Sequence, residues 1–128
     1  MPDLQAPEAL VGVWRLDSVT LAGEDGPRLR GPGSALDGMI IYTQGGHMSA
    51  HIVLPARDST ATPSHHAYFG TYSIDSAAGT ITHHRLANNN PGLPDDVSRG
   101  YRFLDDDHLE LTPHGGRGDQ LNFARTDD

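Results

Sequence analysis

The stretch Gly12-Val13-Trp14 opens the first strand-like run of this 128-residue chain, and Arg125 closes the last one. A glycine at that point lets the backbone turn tightly into a strand. A tryptophan on the first strand can plug the floor of a small barrel, where a guanidinium from the closing strand can stack on the indole. The pair Trp14 and Arg125 therefore predicts a cup-shaped β-barrel closed at one end, whose function depends on what the cup holds.

Eight strand-like runs follow one another at near-regular spacing, separated by turns rich in glycine, proline and aspartate. The predicted strands are Val11–Leu21, Met39–Thr43, His47–Leu54, Tyr68–Ile74, Thr80–Leu86, Ser98–Leu104, His108–Thr112 and Leu121–Arg125. Fifteen glycines and nine prolines exclude long helices, and Pro7–Leu10 is predicted to form one short helical turn. We expect a single all-β domain over residues 1–128, an eight-stranded antiparallel up-and-down barrel with room for one small ligand.

The chain carries a formal net charge of −8, with 17 acidic residues against nine basic residues, all of which are arginines. Nucleic acids and anionic membranes attract basic surfaces, so this balance argues against both as partners. The absence of cysteine excludes disulfides, thiolate metal sites and cysteine nucleophiles. We find neither a signal-peptide pattern nor an apolar run of about 18 residues that would span a membrane, and we therefore expect a cytoplasmic protein.

Alternation along the strands assigns residues to the inside or the outside of the barrel. On the first strand, Trp14, Leu16 and Ser18 share one face, which we expect to point inward because Arg15 and Asp17 occupy the other. On the third strand both faces carry apolar residues, so alternation alone does not decide between them. One face holds His47, Ser49, His51 and Val53, and the other holds Met48, Ala50 and Ile52. An outer helix or the partner subunit of a homodimer, covering the barrel wall, would explain such a two-sided strand.

Two connections are long for a small barrel. They span Pro55–Ala67 and Asn88–Val97, and each fits either a functional lid over the mouth or a plain surface loop. The glycine-rich segment His114–Gly118 lacks the lysine and the following helix of a phosphate-binding loop, so we predict a hairpin turn there.

Four fragments of the chain carry a family resemblance. They are Leu10-Val-Gly-Val-Trp-Arg-Leu-Asp-Ser-Val, Gly38-Met-Ile-Ile-Tyr-Thr-Gln-Gly-Gly-His-Met-Ser-Ala-His, Ala67-Tyr-Phe-Gly-Thr-Tyr-Ser-Ile-Asp and Gly79-Thr-Ile-Thr-His-His. In this order and spacing they resemble the lipocalin-like domain family of small bacterial and fungal proteins. The resemblance covers almost the whole chain and implies a calycin-type β-barrel with a central cavity. The family also tends to carry an arginine early on the strand after the second long loop, a place for which Arg99 and Arg102 compete.

Eight histidines make acid–base chemistry the sharper hypothesis for a reactive site, because histidine titrates near neutral pH. The predicted catalytic groups are His51, His84 and Tyr42. The predicted ligand-binding residues are Tyr68, Tyr72, His47, His83, Ser49 and Arg102. His83 and His84 are adjacent on a strand, so one should enter the cavity while the other faces outward. His47 and His51 lie about 13 Å apart along a strand, too far to chelate one metal ion, and we predict neither a metal nor a cofactor.

These observations favour a protein that binds a small, largely apolar metabolite inside the barrel. The alternative is a cofactor-independent isomerase, cyclase or dehydratase of secondary metabolism that uses cavity histidines and tyrosines for acid–base catalysis. Composition does not choose between the two, since the fold supports either. The enzyme hypothesis requires a histidine and a second polar group within hydrogen-bond reach of one enclosed point.

Overall fold

One antiparallel sheet closes on itself to form the barrel. The computed structural model describes residues 7–31, 35–55, 64–90, 92, 94–113 and 119–126. In this part of the chain the elements are a 3-10 helix at Pro7–Ala9 and the strands β1 Gly12–Thr20, β2 Arg28–Leu29, β3 Asp37–Tyr42, β4 His47–Leu54, β5 Ser64–Asp75, β6 Thr80–Asn88, β7 Asp96–Asp105, β8 His108–Pro113 and β9 Gln120–Arg125.

The ring of the barrel runs from β1 through β3 to β9, each strand pairing with the next, and β9 pairs back with β1. The two-residue β2 pairs with β1 alone and stands outside this ring. Gly46 (φ 90°) and Gly79 (φ 69°) occupy the left-handed backbone region in two tight turns, which glycine adopts without steric cost. The predicted eight-stranded antiparallel up-and-down barrel with a short N-terminal helical turn is confirmed for the described residues, and its closure leaves no long unpaired strand edge.

The floor of the barrel is built around the Trp14 indole, which is fully buried. Its Nε1 donates a hydrogen bond to the Leu10 carbonyl (2.9 Å), and the Arg125 guanidinium stacks 4.2 Å from the ring centroid. Arg125 also donates to the carbonyls of Val11 (2.9 Å) and Ala9 (2.8 Å). Apolar side chains complete this end of the core: Leu16, Ile40, Ile81, Phe103, Leu109, Leu111 and Phe123. The predicted lock between the first and last strands is therefore present.

Gly12 shows why the motif needs glycine before the tryptophan. Its φ of 140° is a conformation that side-chain-bearing residues rarely adopt. A Cβ at this position would also lie 2.6 Å from Nη1 of Arg125. The glycine thus leaves room for the guanidinium to reach the indole.

A β-bulge changes the inward-facing residues along β1. The register against β9 shifts between Leu16 and Ser18, so inward alternation restarts after the bulge and Val19 is fully buried. The expectation that Ser18 shares the inner face of Trp14 is therefore wrong. Its hydroxyl instead accepts a hydrogen bond from Nδ2 of Asn122 (3.2 Å) on the outer side of β9.

The strands around the mouth are longer than predicted. Segment 64–67, expected to be part of a loop, belongs to β5, where it pairs with His51–Leu54 of β4. Strand β6 continues to Asn88 and β7 begins at Asp96, which shortens the second predicted loop. Most of the first predicted loop, residues 56–63, and the His114–Gly118 turn lie outside the described residues.

Gly70 marks a second bulge, between β5 and β6. A Cβ on Gly70 would lie 2.0 Å from the backbone oxygen of His84, a distance that backbone atoms cannot relieve without moving the strand. The glycine is therefore required by the close approach of two backbones, as glycines within strands often are. The flanking Tyr68 and Tyr72 lie four residues apart on β5, so alternation places both against the core.

Candidate functional site

Above the apolar floor, three side chains form a hydrogen-bonded chain across the barrel interior. The Tyr42 hydroxyl lies 2.6 Å from Nε2 of His83, and the Tyr68 hydroxyl lies 2.9 Å from Nδ1 of the same ring. These residues come from β3, β6 and β5 respectively. Tyr42 and His83 are each 1% exposed, whereas Tyr68 is only partly buried and lies nearer the mouth. The structure thus brings together three of the predicted site residues.

The side chains of Tyr42, His83 and Tyr68 are all neutral near pH 7. Burial lowers the pKa of His83 to about 3, assisted by the positive charges of Arg99 and Arg85. Burial raises the pKa of Tyr42 well above its ordinary value, and it raises that of Tyr68. His83 consequently carries one N–H donor and one unprotonated acceptor nitrogen.

The requirement that buried polar groups be satisfied fixes the direction of the hydrogen bonds. Because Tyr42 is fully buried with His83 at its hydroxyl, we assign its O–H as the donor to Nε2. The neutral ring must then carry its proton on Nδ1 and donate it to the Tyr68 oxygen. The proton of the Tyr68 hydroxyl remains free to be donated into the barrel interior.

Arg85 lies beside this chain, on the same inward face of β6 as His83, and is 9% exposed. Its guanidinium lies over the Tyr68 ring, 5.2 Å from the centroid, and its Nη2 donates to the Pro94 carbonyl. Its Nε is buried and has no hydrogen-bond partner within the described part of the chain. A buried charged donor without a partner is costly, so this group is a candidate for contact with a ligand.

Arg99 is a second interior arginine, on the same face of β7 as the buried Tyr101. Its charge lowers the pKa of His83 and of the half-buried His66. For His66 burial is the largest cause, followed by Arg99 and Arg85, while the carboxylate of Asp119 opposes them. We find neither a hydrogen bond nor an ion pair to Arg99 among the residues that the structure describes.

The second predicted loop is tied to the start of β5 by asparagine side chains. Oδ1 of Asn89 accepts a hydrogen bond from the Ala67 N–H (2.9 Å), and Nδ2 of Asn89 donates to the His65 carbonyl (3.1 Å). Asn90 donates to the same carbonyl (3.2 Å). Together with the bond from the Arg85 N–H to the Asp95 carbonyl (2.7 Å), these contacts hold this side of the mouth in place.

Tyr72, another predicted ligand-binding residue, lies against the interior but its hydroxyl is already used. It donates to the Thr43 carbonyl (2.8 Å) in the turn between β3 and β4. The Tyr72 ring packs edge-on against Tyr42 with centroids 4.9 Å apart. We therefore describe it as a supporting side chain of the wall.

Strand β4 places its three predicted site residues outside the barrel, which corrects the expectation that they line the cavity. His47, Ser49 and His51 are exposed, because Met48, Ala50 and Ile52 form the buried face of β4. His51 borders two shallow grooves on the outer wall, one shared with Arg15, Asp37 and Val53 and the other with Ser49, Ala67 and Phe69. A cavity role for these three residues is therefore not compatible with their positions.

His84 and Arg102 also lie on the outer wall, which corrects two further cavity assignments. The expectation that one of the adjacent histidines enters the barrel holds, but the interior one is His83. Arg102 is exposed and forms an ion pair with Glu110 (3.2 Å), so Arg99 is the interior arginine of the two that competed. Arg85 and His66 were not predicted as site residues, although alternation from Ile81 and Tyr68 places both on the inner face.

The outer wall carries a serine, histidine and aspartate in a hydrogen-bonded line. Ser73 Oγ lies 2.9 Å from Nε2 of His84, whose Nδ1 lies 3.1 Å from Oδ1 of Asp96. This order matches a nucleophile, a base and an orienting carboxylate. All three are exposed on an open sheet surface, where water screens the charges that a preorganised, water-excluding site would exploit. The interior cluster is therefore the better candidate site.

Within the described ranges, no group of three or more histidine, cysteine, aspartate or glutamate side chains is arranged to hold a metal ion. No helix in the same ranges has the length and apolar character that crossing a bilayer requires.

Comparison with known proteins places this closed barrel among calycin-type domains. The family model of the lipocalin-like domain matches residues 11–114, so the chain belongs to the lipocalin-like domain family. This family assignment and the fold support a ligand-binding domain of the calycin type.

Two solved structures share the fold. A lipocalin-like protein from Bacteroides uniformis ATCC 8492 superposes with a TM-score of 0.61 at 19% identity, covering 92% of this chain and 99% of that one. An uncharacterized protein from Bacteroides eggerthii DSM 20697 gives a TM-score of 0.57 at 12% identity, covering 91% and 99%. Among curated proteins no match was found. At these identities the likeness concerns the fold alone.

Proposed function

We propose that this protein binds a small, partly apolar metabolite inside the barrel, with a hydrogen-bond acceptor of the ligand facing the Tyr68 hydroxyl. The observation that carries the proposal is the chain from Tyr42 through His83 to Tyr68. It ends in a donor without a protein acceptor among the described residues, in a partly buried position towards the mouth. A water-excluding interior makes such a donor a strong determinant of ligand orientation.

The surroundings of the donor define the rest of the ligand. Apolar side chains are buried below the hydrogen-bonded row of Tyr42, His83 and Tyr68. They include Ile81, Met48 and Ala50, and they favour a ligand with a hydrocarbon or aromatic body. The aromatic faces of Tyr68 and Tyr72 add flat surface on one wall. A ligand with an apolar body and one oxygen acceptor satisfies both parts of the interior.

The protonation states favour binding over acid–base catalysis. A general base works best with a pKa near the working pH, whereas burial and the arginines lower the pKa of His83 to about 3. The tyrosines retain their protons because burial raises their pKa values. At neutral pH these groups donate and accept hydrogen bonds rather than exchange protons with a substrate.

Two naphthalene derivatives of similar shape test the proposal. 2-Acetonaphthone carries a carbonyl acceptor, whereas 2-isopropylnaphthalene does not. We expect both to bind, with the ketone binding about fivefold more tightly, the contribution of one hydrogen bond. Affinities are measured by quenching of Trp14, the single tryptophan, and the binding position by amide chemical-shift mapping.

Two single-atom variants make the test specific. In Tyr68→Phe the preference for the ketone should disappear. In the matched control Tyr72→Phe the preference should persist, since that hydroxyl already donates to the Thr43 carbonyl. Failure of both compounds to bind, or shifts confined to the outer grooves around His51, would contradict the proposal.

A further inference from the structure

Arg85 and Arg99 are two positive charges inside a barrel whose chain has a net charge of −8. We propose that they form an oxyanion-binding site and that the ligand of the barrel is an organic carboxylate or a comparable anion, held between these guanidinium groups and the Tyr68 hydroxyl. This inference rests on the proposed function and specifies the chemical class of the ligand.

The first support for an anion is the incomplete hydrogen bonding of Arg85. Nine-tenths of this side chain is buried, and one of its donors contacts the Pro94 carbonyl. The Nε, which is also buried, lacks a partner among the described residues. A guanidinium presents its donors as a rigid fork that matches the two oxygens of a carboxylate. A carboxylate against this edge would satisfy the unpaired donor.

The second support is the position of Arg99 relative to Arg85. Arg99 lies opposite Ile81 on the ladder between β6 and β7, while Arg85 lies four residues further along β6. His83 stands midway between these two levels and faces the same interior. The charges of both arginines lower the pKa values of His83, Tyr68 and His66, so both guanidinium groups lie within electrostatic reach of the same three side chains.

The third support is the position of the nearby carboxylates. Asp96 points to the outer wall, where it contacts His84 (3.1 Å). Asp95 is exposed and supplies its backbone carbonyl, rather than its carboxylate, to the Arg85 N–H. Asp119 acts on His66, and its Oδ1 accepts a hydrogen bond from the Ala22 N–H (2.9 Å). Neither Asp96 nor Asp95 is paired through its carboxylate with Arg85 or Arg99 among the described contacts.

Two like charges in a barrel interior repel one another and lose hydration, so they require an anion to offset this cost. Tyr68 contributes to the same site. Its hydroxyl donates to the anion, and the cation of Arg85 over its ring makes that hydroxyl a better donor. The protein would thus distinguish an acidic ligand from a neutral one of the same shape.

The test compares 2-naphthoate with 2-naphthamide, which have nearly the same shape but differ in charge. For the wild-type protein at pH 7.5 we expect naphthoate to bind at least about tenfold more tightly, because a hydrogen bond to a charged group exceeds a neutral one by this amount. In Arg99→Gln the preference should fall to about twofold or less. The matched control is Arg102→Gln on the outer face of the same strand, which should retain the wild-type preference.

A second, more conservative variant keeps the test informative if Arg99→Gln fails to fold. Arg85→Lys keeps the charge but removes the Nε donor, and we expect an intermediate, several-fold loss of naphthoate affinity. Equal affinity for naphthoate and naphthamide in the wild type, or an unchanged preference in Arg99→Gln, would overturn the anion site while leaving the proposed binding function intact. Failure of both compounds to bind the wild type would overturn both proposals.

Discussion

Arg125 at the floor of the barrel and Arg99 towards its mouth differ in how their charges are compensated. Arg125 stacks on Trp14 and donates to the carbonyls of Val11 and Ala9, and its Nε lies 3.7 Å from the carboxylate of Asp107. Arg99 has no such partner among the described residues. A satisfied arginine stabilises the protein, whereas an unsatisfied one costs stability until something else satisfies it. The comparison therefore separates a structural floor from a mouth whose arginine charge is uncompensated among the described residues.

The largest expected effect concerns the floor itself. Trp14→Ala should lower the free energy of unfolding by about 3–5 kcal/mol, since it removes a fully buried aromatic side chain and leaves a cavity. Urea unfolding monitored by circular dichroism measures the change. A variant that keeps wild-type stability but shows no amide chemical-shift changes with 2-acetonaphthone would show that the indole belongs to the site and not to the floor.

The next effect compares the two arginines directly. Arg125→Gln should cost about 2–3 kcal/mol, because it removes charge-assisted hydrogen bonds and the contact with the indole. Arg99→Gln should leave the free energy of unfolding unchanged or raise it, because it removes an uncompensated charge near Arg85. Both variants are measured by urea unfolding without ligand. A loss of more than about 1 kcal/mol in Arg99→Gln would mean that Arg99 has a structural role after all.

A third prediction uses the buried histidine of the chain. The unfolded protein takes up a proton on His83 near its ordinary pKa of 6.5, whereas the folded protein stays unprotonated there down to about pH 3. The unfolded state therefore binds more protons in this window, and stability falls as the pH falls from about 6.5 towards 3. Between pH 7 and pH 4.5 this group should account for a loss of about 2 kcal/mol.

One variant isolates that contribution. His83→Gln should flatten the pH dependence between pH 7 and pH 4.5 relative to the wild type. The lowered pKa of His66 adds to the slope, and the raised pKa of His108 beside Asp105 opposes it, so the difference between the variant and the wild type is the informative quantity. Identical slopes for wild type and His83→Gln would exclude a neutral buried His83.

The sequence predicts the barrel better than it predicts the inside of the barrel. Glycine and turn chemistry bound the strands, and the tryptophan motif identifies the floor, because both are local signals. On β4, either the even-numbered or the odd-numbered residues could face the interior. Because both sets include apolar residues, such as Ala50 and Val53, the sequence fits either orientation. The wrong choice sent His47, Ser49 and His51 into the cavity. The bulges next to Leu16 and Gly70 each add one residue to a strand and so switch which residues face inward, a change that simple alternation does not predict.

The interior arginines show a different limit. Alternation from Ile81 through His83 to Arg85 was available in the sequence, yet arginine is mostly found exposed, and its absent partner is visible only in three dimensions. Identifying a candidate anion site required knowledge of which carboxylates lie elsewhere, such as Asp96 beside His84. Pairing between distant residues is the information that a single sequence does not contain.

The smallest expected effect comes from an arginine that is fully paired but exposed. Arg15 on the outer wall forms two bonds to the Asp37 carboxylate, Nε to Oδ1 (2.7 Å) and Nη2 to Oδ2 (2.8 Å), a geometry as good as that at the floor. About 39% of its side chain and 51% of that of Asp37 remain exposed, so water and salt screen the pair. Arg15→Gln should lower the free energy of unfolding in urea by less than about 1 kcal/mol, and by less again at 0.5 M salt.

A cost equal to that of Arg125→Gln would mean that hydrogen-bond geometry alone sets the contribution of these arginines to stability. A small cost would assign the difference to burial, the property that makes the unpartnered Nε of Arg85 and the uncompensated charge of Arg99 informative about a ligand.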